Sequence, residues 1–97
     1  MKRDFNDIEY KRWRKKVYVR DGYTCQKCGA KKKLEAHHIK IWAKHPDLRF
    51  EVTNGITLCQ TCHKQITGHE EEYEGYLKGL IGDMSDGYIL LLKELLL

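Results

Sequence analysis

Four cysteines carry the clearest chemistry in this sequence. They form two C-x-x-C pairs, Cys25/Cys28 and Cys59/Cys62, with 30 residues between the pairs. Because a two-residue spacing lets one turn direct both thiolates at the same ion, two such turns complete a tetrahedral sulfur cage of the kind that holds zinc. A four-cysteine cage has no open coordination position. The sequence therefore predicts a structural zinc whose binding supplies much of the folding free energy.

Disulfide bonds and a redox dithiol are the alternatives. Disulfides form mainly in oxidising compartments outside the cytoplasm. The beginning Met1-Lys2-Arg3-Asp4 lacks the apolar stretch of a secretory signal. No apolar run in the sequence reaches the roughly 18 residues of a membrane span. We therefore expect a cytoplasmic protein with reduced cysteines and no membrane segment. A redox dithiol usually begins a helix in a βαβ context, and the sequence shows no such context.

Three histidines form a second candidate cluster. His37 and His38 are adjacent on a predicted strand, so their side chains point to opposite faces. His63 directly follows the last cysteine. Because a shared zinc would pin the strand and this position together, one of the two strand histidines can approach His63. We therefore expect a functional site in which imidazoles converge.

The other polar candidates have simpler explanations. His45 and His69 are expected to be packed or surface residues, and three glutamates follow His69. Asn54 stands before Gly55, and this pair is typical of a turn. Residue chemistry alone therefore leaves Asn54 as a turn residue.

Hydrophobic spacing predicts the elements that must position these residues. A basic helix over residues 7–20 begins at a cap, Asn6 or Asp7, and ends before Asp21-Gly22. Its apolar stripe at i, i+3 and i+7 consists of Tyr10, Trp13 and Val17. The predicted elements that follow are a strand at Leu34–Ile39, a loop over residues 40–53, a strand at Ile56–Leu58, a helix beginning near Cys62 or His63, a helix over residues 70–81 and a very apolar helix over residues 88–97.

Positive charge is concentrated in the first two thirds of the chain. Residues 1–65 contain 16 Lys and Arg against 7 Asp and Glu, whereas residues 66–97 contain 2 against 7. A basic surface suits a polyanion such as DNA, although a solvated charged surface explains the composition equally well. Phosphate contacts would provide affinity but little sequence preference. The candidates for such contacts are the basic helix, with Arg12, Lys15 and Lys16 among its residues, and beyond it Lys31, Lys32, Lys33, Lys40 and Lys44.

Three segments together resemble the signature of the HNH endonucleases, in particular the small zinc-stapled members encoded by phages. The segments are His37-His38-Ile39, Asn54-Gly55-Ile56-Thr57-Leu58 and Cys59-x-x-Cys62-His63. The resemblance covers residues 10–75. It implies an α+β fold with a ββα-metal core, in which two strands and a helix surround one divalent ion. The four-cysteine zinc site would staple this core, and N- and C-terminal helices would flank it.

The resemblance also implies a metal-dependent DNA endonuclease that hydrolyses phosphodiester bonds, by nicking or by double-strand cleavage. His37 and His63 correspond to the ligands of the catalytic metal. His38 corresponds to the general base, and Asn54 to the residue that braces the loop and orients that base. Thr67 occupies the position where some members carry a further histidine. Water and phosphate oxygens would then complete the coordination sphere, which leaves Mg²⁺, Mn²⁺, Ni²⁺ and Zn²⁺ as candidates.

The expected organisation is an endonuclease domain at residues 1–80 followed by an apolar helix at residues 81–97. That helix is buried either in the domain's own core or against a partner, so both a monomer and a homodimer are open. Small phage members of the family are associated with DNA packaging, which makes a terminase large subunit the implied partner besides DNA. Two rival interpretations are a non-catalytic zinc module that binds DNA or protein, which leaves the histidines unexplained, and an accessory interaction subunit.

Overall fold

The computed structural model describes residues 6–82, which form two strands and three helices. In chain order these are helix α1 (Ile8–Arg20), strand β1 (Leu34–His38), strand β2 (Gly55–Cys59), helix α2 (Gln60–Ile66) and helix α3 (Glu70–Ile81). The expected α+β class is confirmed. None of the helices in this part of the chain combines the length and apolar character that a membrane span requires. The helix expected over residues 88–97 lies outside the described residues.

Helix α1 begins and ends where local chemistry favours it. The side chain of Asp7 caps the first turn by accepting a hydrogen bond from a backbone N–H two residues further on, at 2.8 Å. After the helix, Gly22 adopts φ +64°, a left-handed conformation that glycine tolerates. The predicted stripe of Tyr10, Trp13 and Val17 is buried. The predicted basic helix is therefore confirmed, with Asp7 as its cap.

Strands β1 and β2 pair antiparallel, and their register separates the two adjacent histidines. His37 pairs with Ile56, and His38 pairs with Gly55. Because successive residues of a strand point to opposite faces, His38 lies on the face covered by α1 and His37 on the face covered by α2. The predicted divergence of the two side chains is confirmed. Strand β1 ends one residue earlier than predicted, and β2 extends one residue further at each end.

Helix α2 begins earlier than predicted. The sequence indicated a start near Cys62 or His63, but the helix begins at Gln60 and Cys59 is its cap. The Sγ atom of Cys59 accepts a hydrogen bond from the backbone N–H of Cys62 at 3.5 Å. The predicted start is therefore wrong, because the C-x-x-C turn is itself the first turn of the helix and a sulfur takes the place of the usual capping oxygen.

A buried ion pair fastens α1 to β2. The guanidinium of Arg20 and the carboxylate of Asp21 are in contact at 2.9 Å, with side chains 1% and 0% exposed. Arg20 also donates to the carbonyl oxygen of Gly55 at 2.6 Å, and Asp21 accepts from the backbone N–H of Thr57 at 2.8 Å. These hydrogen bonds offset the desolvation of the two charges and hold the end of α1 against the middle of β2.

The larger apolar core lies between the sheet and the helices α2 and α3. Its most deeply buried side chains are Ile56, Leu58, Ile66, Leu77 and Ile81. Removal of these side chains from water is the main favourable contribution to packing on this face. The core fixes α2 beside β2 and thereby determines where His63 lies.

Gly55 should not tolerate a side chain, because α1 crosses β2 there. A Cβ on Gly55 would lie 2.4 Å from Cγ2 of Val17 and 2.8 Å from the Trp13 ring. We predict that Gly55→Ala lowers the free energy of unfolding by about 1–3 kcal/mol through overpacking, as measured by chemical denaturation. At Gly75, in α3, a Cβ meets nothing within 4 Å. The control Gly75→Ala should therefore stabilise by about 0.5–1 kcal/mol. Equal stabilities for the two variants would contradict the close approach.

Candidate active site and metal centre

The four cysteines converge on one point. Their sulfur atoms all lie within 4.8 Å of one another, and no other set of three or more potential ligands within residues 6–82 is as close. All four thiols are free, so they do not form the alternative pair of disulfides. The expectation of a four-sulfur cage that can hold a metal ion is confirmed, and such a donor set is typical of zinc.

Each C-x-x-C turn presents a backbone N–H to its first sulfur. The N–H of Cys28 lies 3.5 Å from Sγ of Cys25, and the same contact joins Cys62 to Cys59 at 3.5 Å. Burial by itself would raise the pKa of the Cys25 thiol, but hydrogen bonds with backbone groups, first that of Cys59, lower this pKa to about 6. Burial raises the pKa of Cys62. One thiolate thus forms readily near neutral pH, whereas a cage of four thiolates needs a cation to offset their repulsion.

A cleft of about 610 Å³ opens along β1. Every residue of β1 lines it, together with residues of α1 on one side and of α2 and the start of α3 on the other. His37, His38 and His63 all line this cleft, whereas His45 and His69 do not. The structure therefore brings together the three histidines that the sequence singled out and excludes the two that it did not.

His37 and His63 lie side by side, with ring centroids 5.2 Å apart. The carboxylate of Glu35, on the same face of β1 as His37, contacts Nδ1 of His63. A carboxylate on one imidazole nitrogen leaves the other, here Nε2, as the donor for a metal ion. Glu35 was not among the predicted site residues. The alternation of side chains along a strand could have indicated it, because Glu35 and His37 are residues i and i+2 of β1 and share a face.

The ring of His38 is held from two directions. It stacks on Trp13, with centroids 3.9 Å apart and planes inclined by 10°. Its Nε2 atom lies 2.8 Å from the carbonyl oxygen of Arg49. Because a carbonyl oxygen can only accept, Nε2 carries the proton in the neutral ring and Nδ1 is the basic nitrogen. Helix α1 thus fixes the ring plane, and the connection between the strands fixes the tautomer.

Asn54 braces the connection between β1 and β2. Its Oδ1 accepts a hydrogen bond from the backbone N–H of Lys40 at 2.8 Å. Its Nδ2 donates to the carbonyl oxygens of Lys40 and Leu48 at 3.1 and 3.3 Å. Asn54 is buried and does not line the cleft. These bonds hold in place the segment that carries the Arg49 carbonyl, so Asn54 acts on His38 only through that segment. Asn54 therefore does more than form a turn before Gly55.

Apart from Arg14 of the basic helix, the predicted phosphate-contacting residues lie outside the cleft. Lys40 is in an ion pair with Glu74 at 3.5 Å, and Lys44 is paired with Glu71, so α3 partly neutralises this side of the molecule. The other predicted cations, none of which lines the cleft, include Arg12, Lys15, Lys16, Lys31, Lys32, Lys33, Lys40 and Lys44. Any contact they make with DNA would therefore lie outside the cleft that the three histidines line.

Arg14 is the one lysine or arginine that lines the cleft within the described residues. Sequence reasoning treated it only as part of a basic helix. The signal that points to it is helical spacing: Tyr10 and Tyr18, four residues before and after it, line the same wall.

A second carboxylate, Glu70, borders the cleft at the start of α3. The hydrogen bond from the backbone N–H of Gly68, at 2.7 Å, lowers the pKa of this carboxyl, and the proximity of His37 and His63 lowers it further. Glu70 is therefore an anion close to the two imidazoles. The floor of the cleft thus offers nitrogen donors flanked by two carboxylates, an environment that favours a cation.

Residues 25–68 match the family model described as HNH endonuclease. The match contains all four cysteines and the three cleft histidines, and the order β1, β2, α2 is that of the ββα-metal fold. The expected family is confirmed for this part of the chain. Comparison with curated proteins and with solved structures gave no match.

The sulfur cage should contain stoichiometric zinc and should be required for folding. We predict that Cys28→Ser loses the zinc and lowers the melting temperature sharply, because three thiolates hold the ion less well and the apo chain lacks its staple. Thr61→Ala, which alters a non-ligand between Cys59 and Cys62, should keep both zinc and stability. Elemental analysis and thermal circular dichroism measure the two quantities. A folded wild-type protein with a zinc content near zero would refute the assignment.

Proposed function

Because residues 25–68 belong to the HNH endonuclease family, we propose that the protein is a metal-dependent endonuclease that hydrolyses phosphodiester bonds of DNA. The observation that carries this proposal is the geometry of His38. This imidazole lines the same cleft as His37 and His63, with its ring plane and its tautomer both fixed. An imidazole whose basic nitrogen is oriented in this way is suited to proton abstraction, a role that a module which only binds DNA does not require.

The residues at the cleft fit a divalent ion. His37 and His63 provide two imidazole nitrogens, and Glu35 contacts Nδ1 of His63, as a carboxylate commonly does with a metal-bound histidine. Water and phosphate oxygens would complete the coordination sphere, so Mg²⁺, Mn²⁺, Ni²⁺ and Zn²⁺ all remain candidates. When bound, the ion would neutralise charge on the phosphate and on the departing oxygen. The four-cysteine cage holds a separate, structural zinc in this proposal.

The proposed chemistry requires His38 to remove a proton from water. In the neutral ring Nδ1 accepts that proton, while Nε2 stays bound to the Arg49 carbonyl, which also stabilises the imidazolium that forms. Stacking on Trp13 restricts rotation of the ring, so the base is oriented before substrate arrives. The activated water attacks phosphorus in line with the departing 3′ oxygen. The P–O3′ bond breaks as the new P–O bond forms, and the departing 3′ oxygen takes a proton from solvent water. The products are a 5′ phosphate and a 3′ hydroxyl, as the family resemblance implies.

The proposed substrate is DNA with weak sequence preference, because the predicted cations outside the cleft would contact phosphates and not base edges. One active site cuts one strand at a time, so a monomer nicks, and double-strand cleavage needs a dimer or two encounters. A place in phage DNA packaging, with the terminase large subunit as partner, extends this proposal on the strength of the family resemblance alone.

His38→Ala should abolish cleavage while the fold and the zinc are retained. The test incubates protein that keeps its structural zinc with supercoiled plasmid, alone and with Mg²⁺, Mn²⁺, Ni²⁺ or Zn²⁺. We predict metal-dependent conversion to open-circular DNA and a loss of rate of about 10²–10⁴-fold in the variant. His69→Ala, which alters an exposed histidine, is the control and should cleave normally.

Two results would count against the proposal in different ways. Full activity of His38→Ala would refute the assignment of the base. No conversion with any metal, by a folded zinc-loaded wild type that binds DNA, would favour the non-catalytic binding module.

Glu35 should strengthen metal binding through His63. We predict that Glu35→Ala weakens binding of Ni²⁺ to the cleft by about 10–100-fold, because the imidazole loses the partner that orients it. Isothermal titration calorimetry of zinc-retaining protein measures this affinity without reference to activity. Glu72→Ala, in the exposed first turn of α3, should leave the affinity unchanged. An unaltered affinity in Glu35→Ala would show that the Glu35 contact with His63 has no role at the metal.

A further inference from the structure

Helix α1 contributes both a support for the proposed base and a cation to the same cleft. Trp13 carries the stacked ring of His38, and the next residue, Arg14, lines the cleft wall. Tyr10 and Tyr18, one helical turn to either side of Arg14, line that wall as well. The Arg14 guanidinium lies over the Tyr10 ring, 5.8 Å from its centroid. This placement puts a half-buried cation on the wall of the cleft.

The charge balance of the cleft gives Arg14 its significance. The acidic side chains that line it are those of Glu35 and Glu70. A phosphodiester is an anion, so these two carboxylates repel it unless cations compensate. Within residues 6–82, no carboxylate forms an ion pair with Arg14, whereas Arg20 is fully engaged with Asp21. The Arg14 guanidinium therefore keeps its charge and its donors available to an incoming anion.

We infer that Arg14 binds the non-bridging oxygens of the scissile phosphate from the α1 side of the cleft, and is thus a catalytic residue; this inference rests on the proposed nuclease function. A guanidinium presents two parallel N–H donors to a phosphate, which lysine cannot reproduce. Charge on those oxygens changes as water attacks, so a donor held there lowers the barrier as well as binding substrate. The cations outside the cleft contribute affinity for the DNA backbone and no such effect.

A small phosphodiester separates contact at the reacting phosphate from contact elsewhere on DNA. Bis(p-nitrophenyl) phosphate contains a single phosphate and no neighbouring backbone, so remote cations do not influence its hydrolysis. With the activating metal, Arg14→Ala should reduce the rate for this compound and for plasmid by at least about tenfold, and Arg14→Lys should recover only part of the loss. Lys11→Ala, an exposed α1 residue outside the cleft, should match the wild type on the small diester.

Each outcome decides a separate question. A wild-type rate for Arg14→Ala on the small diester, with an effect confined to the KM for plasmid, would overturn the inference and leave a remote DNA contact. The wild type could cleave plasmid but not the small diester. In that case kcat at saturating plasmid tests the inference, and an unchanged kcat in Arg14→Ala overturns it. A wild type that cleaves neither substrate refutes the nuclease function itself. Melting temperature and zinc content establish folding, and Arg14→Gln replaces Arg14→Ala if the latter unfolds.

Discussion

The convergence of four sulfur atoms is the constraint on which the rest of the structure depends. Cys25 and Cys28 precede β1, whereas Cys59 ends β2 and Cys62 lies in α2. An ion held by these four sulfurs would close a unit that a two-stranded sheet does not stabilise by itself, since an isolated hairpin is marginally stable in water. The sulfur of Cys59 also caps α2, so the metal cage and the start of the helix that carries His63 are set by the same turn.

Helix α1 completes the site from the other face of the sheet. Trp13 covers Gly55 and provides the surface on which His38 stacks. The buried pair of Arg20 and Asp21 prevents α1 from sliding along β2, because each charge is tied to a backbone group of that strand. The family match spans residues 25–68, so the helix that orients the proposed base lies outside the matched segment. A domain cut at the family boundary would lose the orientation of His38.

The cleft contains both acidic side chains and an arginine, and the two kinds lie on different elements. Near His37 and His63, the carboxylates of Glu35 and Glu70 favour a cation and make the floor of the cleft unsuitable for an anion alone. On the α1 wall, Arg14 supplies positive charge to the same cleft. The negative charge of a phosphate in the cleft would then be compensated by this guanidinium and by the ion that His37 and His63 would hold.

The sequence by itself determined the features that depend on short spacings. The two C-x-x-C pairs predicted the cage, the stripe of α1 predicted its buried face, and alternation along β1 predicted that His37 and His38 diverge. Tertiary structure alone decided the rest, because the cleft is built by side chains that meet across different elements. The contact of Glu35 with His63, the Arg49 carbonyl at His38 and the direction of Arg14 all depend on how α1, the sheet and α2 pack. No local periodicity encodes those distances, since they are set by a shared core and by the convergence of the two cysteine pairs.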